Sequence, residues 1–304
     1  MSKAKEICQS LRFYGENEVS TNPPKQFFWI LNTIVRHDIQ QAKDILGPEL
    51  EKGLLTYASI YAQRMVEMAY IFTEVFVREE YKNWKPTSDN PRVIDLGGDP
   101  GAVSALYWKY RKPNAVITVV EANPATAATM DENISRKGIK DIEIINAAIS
   151  STEGTTALTL HKPGKGWHTQ DFVRDTENDD QFGYRVGVPK LVLSSLIYDG
   201  EEVDLIKIDI EGAETDAIYD LYQSKKLNQV RQILMEFHHD RNQFPENDLF
   251  NMLGILEKSG FVIEDLHITN GSGLRAKSKV SRSELDTIYR TEEKAFITFS
   301  AIRR

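Results

Sequence analysis

The sequence predicts an α/β protein built on a mostly parallel sheet, with a helical extension ahead of it. Three observations carry that prediction. From residue 91 onward, short β-rich runs alternate with helical runs, the pattern of β-α-β units joined by right-handed crossovers. The first β-rich run ends in an acidic residue and a group of glycines, Asp95-Leu96-Gly97-Gly98-Asp99-Pro100-Gly101. The first 90 residues lack this alternation and carry helical periodicity instead.

Taken in order, Leu54, Ala58, Tyr61, Met65, Met68, Phe72 and Phe76 recur three or four apart. They form one apolar stripe on a helix predicted over 48–81, the mark of a packing face. Pro86, Asp89, Asn90 and Pro91 break the pattern, so the chain divides into an extension at 1–90 and a main domain at 91–304. In the main domain, strands are predicted at 93–96, 115–120, 142–147 and 203–210, with helices at 102–110 and 125–137. Gly138 ends the second helix. Beyond them come strands at 232–237, 261–267 and 295–302 and a helix at 249–259. The polar, basic stretch 274–290 is expected to join the last two strands. Residues 161–189 are expected to form a long acidic loop, with Asp175, Glu177, Asp179 and Asp180 in one run.

Composition excludes several classes of function. The 304 residues include 37 Lys and Arg against 45 Asp and Glu, a net charge of −8. That balance argues against a general binder of nucleic acid. Cys8 is the single cysteine, which excludes an internal disulfide framework and a cysteine-based zinc site. The most apolar long stretch, 57–77, is interrupted by Gln63, Arg64, Glu67 and Glu74, so no membrane span is expected. The first residues lack the apolar core of a secretion signal, and the expected compartment is the cytoplasm.

The glycine turn after the first strand suits a nucleotide. Glycine allows close approach of a ligand to the backbone, and the helix N-terminus that follows offers free N–H groups. The dinucleotide fingerprint is broken, because Asp99 stands where it needs a glycine, and the phosphate-loop pattern is absent. A carboxylate at Asp99 would repel a pyrophosphate but favour a cofactor carrying an ammonium and a sulfonium. The turn therefore fits S-adenosylmethionine better than NAD or ATP. Glu121 ends the second strand 20 residues after Gly101, placed to accept both hydroxyls of a ribose. Asn146, Ala147 and Ala148 follow the third strand and leave room for a flat adenine.

The chemistry falls at the ends of the fourth and fifth strands. Asp209 ends the run Asp204-Leu205-Ile206-Lys207-Ile208-Asp209. Glu211 and Glu214 flank Gly212 and open the next helix, where carboxylates also serve as ordinary caps. The fifth strand ends Met235-Glu236-Phe237-His238-His239-Asp240. Alternation puts Glu236 and His238 on one side, so Asp209, Glu236 and His238 are expected to converge, with one of the two histidines facing the site. The trio suits either proton removal, with His238 or Asp209 as base and Glu236 orienting the imidazole, or a divalent cation held by two oxygens and one nitrogen.

At these residues the chain resembles the FkbM family of S-adenosylmethionine-dependent methyltransferases. The most specific match is 204–214, where the family shows Asp-Leu-x-Lys-x-Asp-x-Glu-Gly-x-Glu. The 95–101 turn, Glu121-Ala122-Asn123-Pro124, Asn146-Ala147-Ala148 and the Glu236-x-His238 pair support it. The resemblance covers about 90–270. It implies a class I methyltransferase fold, a Rossmann-like three-layer sandwich around a seven-stranded sheet of order 3-2-1-4-5-7-6 with its last strand antiparallel. It implies methyl transfer, most often to a hydroxyl of a small metabolite or sugar. N-methylation, carboxyl methylation and a non-catalytic cofactor-binding protein are the alternatives. Carried over by position, Asp95, Gly97, Gly98, Asp99 and Gly101 border the methionine end of the cofactor. Glu121 holds the ribose, Ala122 beside it also borders the cofactor, and Asn146, Ala147 and Ala148 flank the adenine. The family's usual Gly-Ala-Asn turn is here Gly97-Gly98-Asp99. The amino-terminal helices, with the apolar cluster Phe27-Phe28-Trp29-Ile30, are expected to cap the acceptor pocket or to form a homodimer face. Trp167 is a candidate lid residue.

Overall fold

A computed structural model describes residues 71, 75–76, 80–98, 102–161, 172–173, 183–270, 276–278 and 280–304. The chain divides into two compact units, Met1–Glu79 and Glu80–Arg304. Only residues 71, 75 and 76 of the first are described. The cap, the 48–81 helix as a whole, Phe27 to Ile30, Trp167, Asp99 and Gly101 lie outside the described residues.

The second unit is organised by one long sheet. Its strands are β1 (Arg92–Leu96), β2 (Val116–Glu121), β3 (Ile142–Asn146), β8 (Leu205–Ile208), β9 (Gln232–Asp240), β10 (Phe261–Asn270), β11 (Ala276–Ser278) and β12 (Lys294–Arg303). Across the sheet they run β11-β10-β12-β9-β8-β1-β2-β3. Seven of them follow the order 3-2-1-4-5-7-6 expected from the resemblance. The short β11 is an eighth, paired antiparallel to β10 outside that set. Strands β1, β2, β3, β8 and β9 are mutually parallel. β12 runs antiparallel to both β9 and β10.

The central strands are buried along nearly their whole length, β1 and β8 most completely. That is the condition of a parallel sheet covered on both faces. On one face Ile94, Leu96, Ile206 and Ile208 join a core with Ile218 and Leu221 of α3 (Glu214–Gln223), Leu253 and Leu256 of α4 (Leu249–Lys258) and Leu285 of α5 (Arg282–Thr291). The opposite face meets Trp108 of α1 (Val103–Arg111), which bonds Asp95. There Val119 also approaches Met130 of α2 (Pro124–Lys137) around Gly98. These layers make the α/β sandwich predicted from the alternation.

Local chemistry explains the element ends. Asn123 caps α2 by accepting from the N–H groups of Ala125 and Thr126, Pro124 sits in its first turn, and left-handed Gly138 closes it. The fourth strand is shorter than the predicted 203–210: Val203 pairs with Val230 only as an isolated bridge, and the Asp204 carboxylate accepts from the Arg92 N–H.

Two expectations are corrected. The 161–189 segment is not one loop. β5 (Gly154–His161) and β7 (Gly183–Leu191) pair antiparallel, and with β4 (Ala148–Ile149) and β6 (Phe172–Val173) they form a separate four-stranded sheet. The β-branched threonines in Thr155-Thr156-Ala157-Leu158-Thr159-Leu160 favour an extended strand. The 274–290 stretch does join β10 to β12, but it carries β11 and most of α5. Ser281 and Glu284 form a reciprocal capping box at the start of that helix.

Candidate active site

The site stands at the carboxyl ends of β1, β2, β8 and β9, where parallel strands leave a crevice. Gly97 turns the chain at φ +77°, and both the Gly97 and Gly98 N–H groups donate to the Val120 carbonyl. A Cβ on Gly97 would stand 1.7 Å from the Asp209 carbonyl oxygen. The turn is therefore glycine for two reasons, its left-handed backbone and the close passage of the chain leaving β8. Since Leu96 lies opposite Val120 in register, Gly97 and Glu121 end neighbouring strands at the same edge.

Behind the turn lies a sealed polar group. Asp95 is fully buried; one carboxylate oxygen accepts from the Trp108 indole at 2.7 Å, and the other is 3.6 Å from the Lys207 ammonium without a hydrogen bond. Lys207 donates to the Gly97 carbonyl at 2.6 Å and to the Leu96 carbonyl at 3.4 Å, and stands 3.3 Å from Asp209. Asp95 therefore supports the turn from behind and does not itself line the crevice. Lys207 fastens β8 to the turn, a role the sequence reading did not assign.

On the β2 and β3 side, Glu121 is half-buried and its carboxylate accepts from the Asn123 N–H at 2.6 Å. Asn146 donates to the carbonyls of Glu121 and Ala122, locking the ends of β2 and β3 together. Ala147 and Ala148 are buried.

On the β8 and β9 side the register places Ile208 opposite Met235, so Asp209 and Glu236, one step further, stand side by side. His238 follows on the same side. It is 4% exposed, and its Nδ1 is bonded to Glu214 at 2.8 Å. Its Nε2 lies 3.4 Å from Glu211, 3.8 Å from Asp209 and 3.8 Å from Glu236. The expected trio does converge, joined by Glu211 and Glu214. The carboxylate that orients the imidazole is Glu214, not Glu236. Glu214 is fully buried and also accepts from the Asn247 amide at 2.5 Å and the Gly212 N–H at 3.1 Å. Of the two histidines, His238 faces the site; His239 bonds the Glu292 carbonyl and stacks near Tyr289.

The crowding shows in the titration of these groups. Burial pushes the Glu211 carboxyl up to about 7, with Asp209 and Glu214 adding to the rise against the opposing pull of His238. Burial, then the Asp209 charge, pushes Glu236 well above the usual carboxylate range. Burial alone would lower His238, but the Glu211, Glu214 and Asp209 carboxylates outweigh it and hold the imidazole well above 6.5. Among the described residues, Asp209, Glu211 and His238 offer ligand atoms within 4.8 Å of one another. Glu211 thus replaces Glu236 in the set expected for a cation.

Comparisons with known proteins give the family of the chain. Residues 95–263 match the model of the methyltransferase FkbM domain, more than half of the chain. The chain belongs to the FkbM methyltransferase family. Methyltransferase 1 of Beauveria bassiana (strain ARSEF 2860) is 25% identical over 224 residues, 67% of this chain and 86% of its own. Methyltransferase sdnD of Sordaria araneosa is 28% identical over 243 residues, 71% of this chain and 90% of its own. Among solved structures, a geranyl diphosphate C-methyltransferase from Streptomyces coelicolor A3(2) is 10% identical with a TM-score of 0.42. That match covers 84% of this chain and 87% of the other.

Membership implies S-adenosylmethionine as methyl donor, and the residues of this methyltransferase fit it. The described part of the crevice edge at β1 and β2 offers Glu121, a hydrogen-bond acceptor suited to a diol, and its nearby cation, Lys207, is 2% exposed and committed to backbone carbonyls. Such an edge suits a cationic nucleoside and disfavours a pyrophosphate. Among the described residues, no helix is long and apolar enough to cross a membrane.

Proposed function

We propose that this methyltransferase methylates a hydroxyl oxygen of a small molecule, with Glu121 holding the cofactor ribose and the Asp209, Glu236 and His238 cluster facing the acceptor. The observation that carries this reading is the convergence of four carboxyl groups on one imidazole beside the glycine turn. A hydroxyl needs its proton removed as it attacks, and those groups are the means to remove it. S-adenosylmethionine supplies a methyl group already activated on a sulfonium.

The roles divide by exposure. The Asp209 and Glu236 side chains are 30% and 31% exposed, within reach of a substrate, while His238 is sealed. Lys207 neutralises Asp209 in part, which leaves Glu236 the stronger proton acceptor. His238, pinned by Glu214, forms the fixed wall between them, so orientation is set before the acceptor arrives. A cleft of about 370 Å³, counting space open to solvent, adjoins this wall and is bordered by Phe244, Phe296 and Lys294. Glu211 and Asp240 on its lining disfavour a polyanion.

The test is product analysis with methyl-labelled cofactor and a panel of hydroxyl, amine and carboxylate acceptors. A methyl ether is expected, with Glu236→Gln slowing its formation roughly 10²–10⁴-fold. Methylation confined to nitrogen or carboxylate, or a Glu236→Gln effect below threefold, would overturn the reading.

A further inference from the structure

The cluster at the end of β8 and β9 gathers more carboxyl groups than fixed cations. Asp209, Glu211, Glu214 and Glu236 surround one imidazole. Lys207, the nearest ammonium, already serves Asp95 and the Leu96 and Gly97 carbonyls. Buried carboxylates gathered without compensation are costly.

The imidazole adds an independent observation. Glu214 takes the Nδ1 hydrogen bond, which leaves Nε2 as the ring's second polar atom. That atom is sealed from solvent with the rest of the ring and points at three carboxylates 3.4 to 3.8 Å away, in hydrogen-bond geometry with none of them. Nitrogen and oxygen donors facing one another at this spacing leave room for a positive ion between them. A cation about 2.1 Å from each donor separates its ligands by roughly 3 to 4.3 Å. The separations of Nε2 from Glu211 and Asp209 fall inside that interval. The second shell is also built. Glu214 fixes the ring, and Asn247 and Gly212 fix Glu214, the arrangement that holds a metal-binding histidine.

From this geometry we propose that Asp209, Glu211 and His238 bind one divalent cation in place of the Nε2 proton, with its open positions facing the acceptor. One nitrogen with two carboxylates favours a first-row ion such as Mn²⁺ over Ca²⁺. The inference rests on the hydroxyl-acceptor reading and sharpens it. The acceptor oxygen binds the cation, which lowers its pKa, and its proton passes to Glu236. The oxygen then forms the C–O bond as the C–S bond breaks. The electron pair of the broken bond goes to sulfur, giving S-adenosylhomocysteine.

The experiment is titration of the chelator-treated full chain with Mn²⁺, read by electron paramagnetic resonance. Calorimetry with S-adenosylmethionine is run on the same samples. One Mn²⁺ per chain is expected, with nitrogen modulation from His238 in the spin echo. Asp209→Asn and Glu211→Gln, both near-isosteric, are each expected to weaken Mn²⁺ binding at least tenfold while far-ultraviolet circular dichroism shows the variants folded. A chain that binds the cofactor but no Mn²⁺ would overturn the cation site and leave the methyltransferase reading standing. Equal Mn²⁺ binding by wild type and both variants would overturn it as well. A wild-type chain that binds Mn²⁺ but no cofactor would instead remove the reading on which the inference rests.

Discussion

Two polar groups occupy successive levels of the same strands, and they are balanced in opposite ways. At the deeper level, Asp95 and Lys207 are one carboxylate and one ammonium, sealed by Trp108 and by the turn carbonyls. One step outward, four carboxylates share His238. The deeper group satisfies its charges within the protein, so it builds the turn. The outer group gathers more carboxyl groups than fixed cations, and protons or a ligand complete it. Asp209 belongs to both levels, since one of its oxygens faces Lys207 and the other His238. The position of the cofactor turn and the shape of the acceptor cluster are therefore coupled through one side chain.

The largest expected effect breaks the deeper level at its backbone. Gly97→Ala places a methyl group 1.7 Å from the Asp209 carbonyl at a left-handed φ. It should cost at least about 3 kcal/mol of stability and abolish cofactor binding, measured by denaturant unfolding and calorimetry. Lys207→Met comes next. It leaves Asp95 buried with the Trp108 indole alone, and should cost about 3–5 kcal/mol, read by the same unfolding measurement. A cost below 1 kcal/mol would show that the deeper level is not a matched pair. Glu214→Gln keeps the shape of the outer level but removes the charge behind His238. It should slow turnover roughly 10–100-fold and cost about 1–3 kcal/mol of stability, since the new amide meets donors. A stability loss with unchanged turnover would assign Glu214 to the fold instead of the site.

How much of this was legible in sequence follows the same division. The parallel sheet could be read because β1, β2, β8 and β9 are apolar runs separated by turn residues. Asp209, Glu236 and His238 could be placed together because strand alternation fixes which side each takes. Glu214 was harder to assign, since a glutamate at the start of a helix is an ordinary cap, and only the path of β9 past α3 brings His238 to it. Lys207 was hidden for a similar reason. A lysine inside an apolar strand gives no sign of its partners until β1 lies beside it. The second sheet is hard to read because the acidic run 175–180 separates its short strands, and none of them is apolar enough to stand out by itself. Helix α5 was missed although Ser281 and Glu284 spell a capping box, because its net apolar content is low and Leu285 is its buried anchor.

The most direct measurement is a crystal structure of the full chain with S-adenosylhomocysteine. The ribose hydroxyls are expected on the Glu121 carboxylate, with the sulfur facing the volume between Asp209 and Glu236. A nucleoside bound away from Gly97 and Glu121, or a sulfur turned away from Asp209, Glu236 and His238, would contradict the assignment of both halves of the site.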